Sequence, residues 1–260
     1  MASGQDVVNS RLYRRPELVR QYAQKTTLYP AEAAALARYA DDIRGRAVLE
    51  LGCGAGRLTA HVAPLASRYV GVDISPHMVS YCRARFEDLE FLVRDMREIR
   101  ELPDGAFRAV FAIANLLDAI DHADRLRVLA SIRRVLAPGG LLVFSSHNRA
   151  WEQLGAPPRL ELSPHPLELL RRSADFARAH LRRRRARRLE QHTPDYAVVT
   201  DPGHDFGVLH YYIARATQTR QLAAHGFTLL DAFDGAGNPL TQHGDDRASP
   251  SLVYVARRAE

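Results

Sequence analysis

"VLELGCGAGRL", residues 48–58, joins an apolar run to three glycines at alternate positions. Ala47, Val48, Leu49, Glu50 and Leu51 have the length and aliphatic content of a buried strand, which Gly52, Gly54 and Gly56 end abruptly. Beyond them Leu58 and Val62 stand four apart, the step of one helix face, so the stretch predicts a strand, a glycine loop and a helix. Glycine adopts positive φ at no steric cost and bares the backbone, and amides at a helix start attract an anion. The loop therefore predicts a ligand that carries a carboxylate or a phosphate.

A second apolar run, "RYVGVDIS" (68–75), ends in Asp73, 19 positions past Gly54. An acid at that distance, on the tip of the next parallel strand, suits the two hydroxyls of a ribose. The loop reads Gly-Cys-Gly-Ala-Gly, not Gly-x-Gly-x-x-Gly, which argues against a pyrophosphate pocket and for a nucleoside with an anionic tail.

Together with "RDMREI" (94–99) and "IRRVLAPGGLLVFS" (132–145), these runs resemble the class I S-adenosylmethionine-dependent methyltransferases over about residues 47–145. The resemblance implies S-adenosyl-L-methionine as cofactor. On it, Glu50, Gly52, Cys53, Gly54, Gly56 and Arg57 face the methionine part, Asp73 the ribose, Ile74 one face of the adenine, and Asp95 with Met96 the adenine edge and ring. Asn115 and Leu116, in "AIANLLD" at the edge after the fourth strand with Asp118, complete the set together with Tyr22. The implied fold is α/β: a Rossmann-like, doubly wound, seven-stranded, mostly parallel sheet with an antiparallel last strand, an N-terminal helical lid and an insertion after strand 5.

Strands are expected near 47–51, 69–73, 90–93, 108–113, 140–146, 227–232 and 251–257, with helices in the gaps. One domain is expected, with a lid over 1–40, a cofactor-binding core over 41–148, an acceptor-side insertion over 149–215 and core strands over 216–260. Leu18, Tyr22, Leu36 and Tyr39 are expected to face inward from the lid, and Tyr13, Tyr22 and Tyr29 are candidates for contact with cofactor or substrate. The chain has 260 residues, 46% of them hydrophobic, enough for a full core. No apolar stretch has bilayer length and "MASGQDVVNS" lacks the pattern of a secretory signal, so a cytoplasmic protein with no membrane partner is expected. Cys53 and Cys82 read as reduced thiols, and no metal set is evident from spacing.

Chemistry belongs at the carboxyl ends of the strands. His147 and Asn148 follow the fifth strand there. In the insertion, "DYAVVTDPGHDFGVLHYYIAR" (195–215) alternates like a hairpin that places His210 and Tyr212 on one side and Tyr211 on the other. Methyl transfer from a sulfonium needs an aligned acceptor, exclusion of water and removal of any proton the acceptor carries. His210 or His147 is the candidate base or acceptor-orienting group, and Tyr211 or Tyr212 shapes the site. "ANLLD" (114–118) lacks the prolines and aromatic residue of amino-methylases that act on nucleic-acid bases.

The expected function is direct in-line methyl transfer to O, N or S of a small-molecule acceptor, by a monomer or homodimer. The alternatives are an RNA or protein methyltransferase, or a protein that binds S-adenosylmethionine without methylating; a nucleic-acid partner is the weaker reading. Arg182–Arg188 holds six arginines in seven residues within a helical pattern from about 166 to 189. Such a run suits a solvated helix face or an acidic partner subunit, and it can also follow a phosphate backbone or an anionic lipid surface.

Overall fold

The computed structural model describes residues 5, 9, 17–160, 162–202 and 206–260. Ten strands form one sheet: β1 (Ala47–Leu51), β2 (Arg68–Asp73), β3 (Glu90–Val93), β4 (Phe107–Ala112), β5 (Leu136–Asn148), β6 (Gln191–His192), β7 (Tyr196–Val199), β8 (His210–Ile213), β9 (Phe227–Phe233) and β10 (Ser251–Arg258). The first five lie parallel in the order β3-β2-β1-β4-β5. β10 runs antiparallel against β5, and β9 antiparallel against β10. The strand order reverses at β1, so the crevice between β1 and β4 opens at their carboxyl ends.

The sheet is covered on both faces because its side chains alternate. Leu49 and Leu51, Val110 and Ala112, Leu142 and Phe144, and Leu252 and Tyr254 share one cluster with Val128, Leu129, Ile132 and Val135 of helix α5 (His122–Val135). Val48, Ala109, Phe111, Leu141, Val143, Val253 and Val255 point the other way. There they meet α2 (Pro30–Ile43), α3 (Thr59–Val62) and α4 (Pro76–Arg85) through Ala35, Ile43, Leu58, Val62, Val79 and Cys82. α1 (Glu17–Ala23), α6 (Pro166–Ala186) and α7 (Arg215–Ala224) complete the described helices.

Among the described residues the sheet has ten strands where seven were expected. The extra three come from the insertion: β7 and β8 form the hairpin, β6 pairs with β7, and β8 lies parallel to β5 with Tyr212 opposite His147 and Ile213 opposite Asn148. β5 makes this possible by running past the end of β4, whose last partner on it is Phe144. β5 also starts at Leu136 and not at 140, because Leu136 already pairs with Phe107 ahead of an irregularity in the ladder. Within the leading segment, α2 lies on the sheet beside β10, with Leu36 and Tyr39 half-buried. α1 lies against α4 and carries Tyr22. Tyr13 and the side chain of Leu18 fall outside the described residues.

Candidate active site

The glycine loop leaves β1 with positive φ at Gly52, Gly54 and Gly56 (+68°, +53° and +79°). Two of the three are packed shut: a Cβ on Gly52 would stand 2.6 Å from Leu116 Cδ1, and one on Gly56 2.5 Å from Phe86. Gly54 is different, since a Cβ there meets only Tyr22, at an ordinary 3.6 Å. Its amide donates to Asp73 Oδ2 (2.9 Å), while Ser75 N donates to Asp73 Oδ1 (2.8 Å), so one carboxylate ties the loop to the start of α4. Burial raises the Asp73 pKa against the pull of these amides. The carboxylate's roughly four acceptor positions leave room for a further donor.

Glu50 is buried beneath the loop, where Oε2 accepts from Thr59 Oγ1 (3.0 Å) and from the Tyr69 hydroxyl. Burial pushes its pKa up to about 7 despite those two donors. A carboxyl raised in the folded state from about 4.3 in the unfolded chain contributes stability that is full below the lower value and is lost as pH rises through the upper one. Glu50→Gln is therefore expected to flatten the pH dependence. Its stability relative to the parent should rise by about 3 kcal/mol between about pH 4 and pH 8, measured by urea unfolding at each pH; a constant difference contradicts this.

The other positions expected around the nucleoside are spread along the same edge. Ile74, half-buried, follows β2. Asp95 follows β3 with its carboxylate held by Arg97, which also reaches Asp124 of α5, and Met96 packs on the core. Arg57 turns away from the loop: Nη2 donates to Glu32 Oε1 of α2 (2.8 Å), and its guanidinium lies over the exposed Tyr29 ring at 4.6 Å. Cys53 is buried, its thiol pKa raised by contact with Cys82, and Cys82 donates to Gly54 O (3.1 Å).

Leu116, whose side chain covers Gly52, connects this loop to a second group of polar side chains. Its neighbour Asn115 has left-handed backbone (φ +56°), as does Ala114, and donates its amide to Ser145 Oγ (2.7 Å) and its Nδ2 to His147 Nε2 (3.1 Å). On the other side of that ring, His147 Nδ1 lies 2.8 Å from Asp118 Oδ2, which also accepts from the His147 backbone amide (2.6 Å). Asp118 Oδ1 accepts from Ser146 Oγ (2.8 Å) and from Arg125 Nη1 (2.5 Å), and the carboxylate and the arginine are both fully buried. Burial alone would raise Asp118; the charge of Arg125 and the bond to His147 outweigh it and hold the carboxyl below its ordinary range.

A second pair stands beside the first. Asp201 Oδ2 accepts from His210 Nδ1 (2.7 Å) and the Tyr212 hydroxyl (2.6 Å), and burial together with this acid raises the Tyr212 pKa. Against its burial, His210 holds Asp201 below the usual carboxylate range. The His147 and His210 rings stack at 4.7 Å and 25°, with Tyr212 at 4.8 Å from His147. Tyr211 does not join them. It points to the opposite face of β8, hydrogen-bonded to His122 Nδ1 (2.8 Å) and stacked under Arg125 (4.6 Å), so strand alternation removes it from the candidate set.

Ligand atoms of His147, Asp201 and His210 lie within 4.8 Å of one another. The two rings stack, and both Nδ1 atoms already face carboxylates, Asp118 for His147 and Asp201 for His210. This arrangement suits proton handling better than a tetrahedral metal.

Spacing did not reveal Asp201 as the partner of His210, the buried Arg125, or Gln5 and Asn9. Gln5 Nε2 donates to the carbonyls of Asp118 (2.8 Å) and Leu209 (3.1 Å), and Asn9 Nδ2 to those of Ala119 and Leu209 (both 2.8 Å). Gln5 and Asn9 thereby tie the turn after β4 to the start of β8. The one legible signal was Asp201 itself, the first residue of the Asp-Pro-Gly turn across the hairpin from His210.

Residues 48–140 match the model of a methyltransferase domain family. The ubiquinone biosynthesis O-methyltransferase of Cereibacter sphaeroides is 32% identical over 107 residues, which cover 41% of this chain and 43% of that one. The protein of the same name from Xanthomonas oryzae is 27% identical over 113 residues (42% and 46%). The chain thus spans less than half the length of these curated relatives. Whole-chain similarity appears among solved structures. The Burkholderia thailandensis 1,6-didemethyltoxoflavin-N1-methyltransferase, crystallised with 1,6-didemethyltoxoflavin and S-adenosylhomocysteine, superposes with a TM-score of 0.61 at 16% identity, covering 98% of this chain and 88% of that one. The CcbJ methyltransferase of Streptomyces caelestis gives 0.57 at 20% identity, over 89% and 90%. Residues 48–140 thus match a methyltransferase domain family, and the chain shares its fold with solved S-adenosylmethionine-dependent methyltransferases.

Proposed function

We propose that the chain transfers the methyl group of S-adenosylmethionine to an oxygen, nitrogen or sulfur of a small molecule held beside His147. The observation that carries this reading is the linkage of two sites at one sheet edge: Leu116 packs on the glycine loop, and adjacent Asn115 touches His147, whose other nitrogen is held by buried Asp118. The small acceptor is supported by the whole-chain likeness to the Burkholderia enzyme, whose crystal holds 1,6-didemethyltoxoflavin.

The residues present fit the methyl donor. Gly54, where a side chain would meet only Tyr22, would face the methionine tail, Asp73 would accept from the ribose hydroxyls, and Ile74, Asp95 and Met96 would flank the adenine. When bound, the donor supplies an electrophilic methyl on sulfur. His147 Nε2 exchanges its bond from Asn115 Nδ2 for the acceptor's proton as the acceptor's heteroatom attacks in line, and Asp118 steadies the imidazolium that results. Tyr212 and His210 wall the acceptor side, and Glu50 braces the loop from below.

Titration of the chain with S-adenosylmethionine tests the donor site. Asp73→Ala removes a buried two-oxygen acceptor and is expected to weaken binding by about 1–3 kcal/mol, roughly 5- to 150-fold. Unchanged affinity in the folded variant, or no binding by the parent, overturns the assignment.

A further inference from the structure

The positive charge of the chain is concentrated on one helix. Residues 166–188 hold nine arginines against Glu168 and Asp175, whereas the whole chain has 36 basic and 30 acidic residues, so the remainder is close to neutral. No residue of α6 is buried. One face, with Leu169, Phe176 and Arg183, lies toward the protein: Arg183 donates to Gly155 O (2.5 Å) and its guanidinium sits over the Phe206 ring at 5.7 Å.

The face turned outward is apolar. Leu167 (84% exposed), Leu170 (69%), Ala174, Ala177 and Leu181 (56%) recur at alternating steps of three and four, one continuous stripe along the helix, and Leu162 (78%) stands exposed just before it. Arg171, Arg178 and Arg185 run along one border at seven-residue steps, and Arg184 lies on the other. Arg184, Arg185, Arg187 and Arg188 have no carboxylate ion pair among the described residues.

We propose that α6 docks flat on an anionic lipid surface, its leucines in the headgroup–acyl boundary and its arginines on lipid phosphates. At 21 residues and this charge it is built to lie in the interface and not to cross it, and no described helix is apolar enough to cross a membrane. Arginine stems cover apolar surface while their heads stay with the phosphates, which suits a leucine stripe bordered by arginines. A nucleic-acid backbone would match the arginines but leave the leucines in water, and the run Arg182–Arg188 has no aromatic residue for base stacking. A second copy of α6 brings further arginines and almost no acids to pair with them. The expectation of no membrane partner came from the lack of a spanning segment, and surface docking is a separate matter. The proposal is independent of the methyl-transfer reading.

The test is co-sedimentation of the full chain with vesicles of phosphatidylcholine alone and of phosphatidylcholine mixed equally with phosphatidylglycerol. The chain should pellet with the mixed vesicles and stay in solution with the neutral ones. Leu167→Ser/Leu170→Ser/Leu181→Ser should lower the bound fraction about tenfold with an unchanged thermal melt, since these side chains contact solvent. Arg184→Glu/Arg185→Glu should weaken binding too. Binding to neither vesicle, equal binding to both, or full binding by the serine variant overturns the proposal. So does a single-stranded RNA oligonucleotide that binds parent and serine variant alike and displaces the parent from the vesicles, since α6 would then be a polyanion site.

Discussion

Asp118→Ala is expected to cost the fold about 3–5 kcal/mol. The loss does not come from one hydrogen bond. Arg125, fully buried between α5 and the sheet, has Asp118 as its acid, with Gln218, Gln221 and Ser146 as neutral partners. Removing the carboxylate leaves a guanidinium uncompensated in a low-dielectric interior and frees His147 and Ser146 at once. Denaturant unfolding measures the effect, and a loss below about 1 kcal/mol contradicts it. Replacing both partners, Asp118→Leu with Arg125→Met, should recover much of the stability, because a buried pair often gains little over apolar side chains of similar size. That double variant should remain inactive, since His147 Nδ1 has then lost the carboxylate that holds it and steadies its charged form.

His147→Ala is expected to act on turnover and not on the fold. The ring is largely buried but lies at the edge of the sheet, where its loss opens space without stranding a charge. If Nε2 takes the acceptor proton, kcat should fall about 10²- to 10⁴-fold while the affinity for S-adenosylmethionine stays within about twofold. A variant that loses donor affinity, or that keeps full turnover, contradicts this role. His210→Ala separates the two histidines: it removes the stacked neighbour and the partner of Asp201 but leaves the Asp118 bond to His147 in place.

The core of the fold was legible because its signals are local. Strand β1, the glycines and Asp73 lie within 27 residues, and alternation along each strand and three- and four-residue steps along α5 assign the faces of the sheet. The insertion was legible as a hairpin but not as part of the sheet. Joining it requires β5 to run beyond β4, which depends on where Phe144 finds its partner and not on any property of "SHN". The histidine pairs were half legible for the same reason. His147 and His210 announce themselves by residue type at strand ends, yet 29 positions of chain separate Asp118 from His147, and Asp201 reaches His210 only after the hairpin closes. Gln5 and Asn9 carry no such signal, since amides that bond to backbone carbonyls can stand at many positions.

The most direct measurement of the central claim is the fate of the methyl group. The full chain is incubated with methyl-labelled S-adenosylmethionine and a cell extract split into small-molecule, RNA and protein fractions. The account predicts label in the small-molecule fraction, with release of S-adenosylhomocysteine and a loss of both in His147→Ala. Label in RNA or protein, or donor binding with no transfer to any fraction, would contradict it.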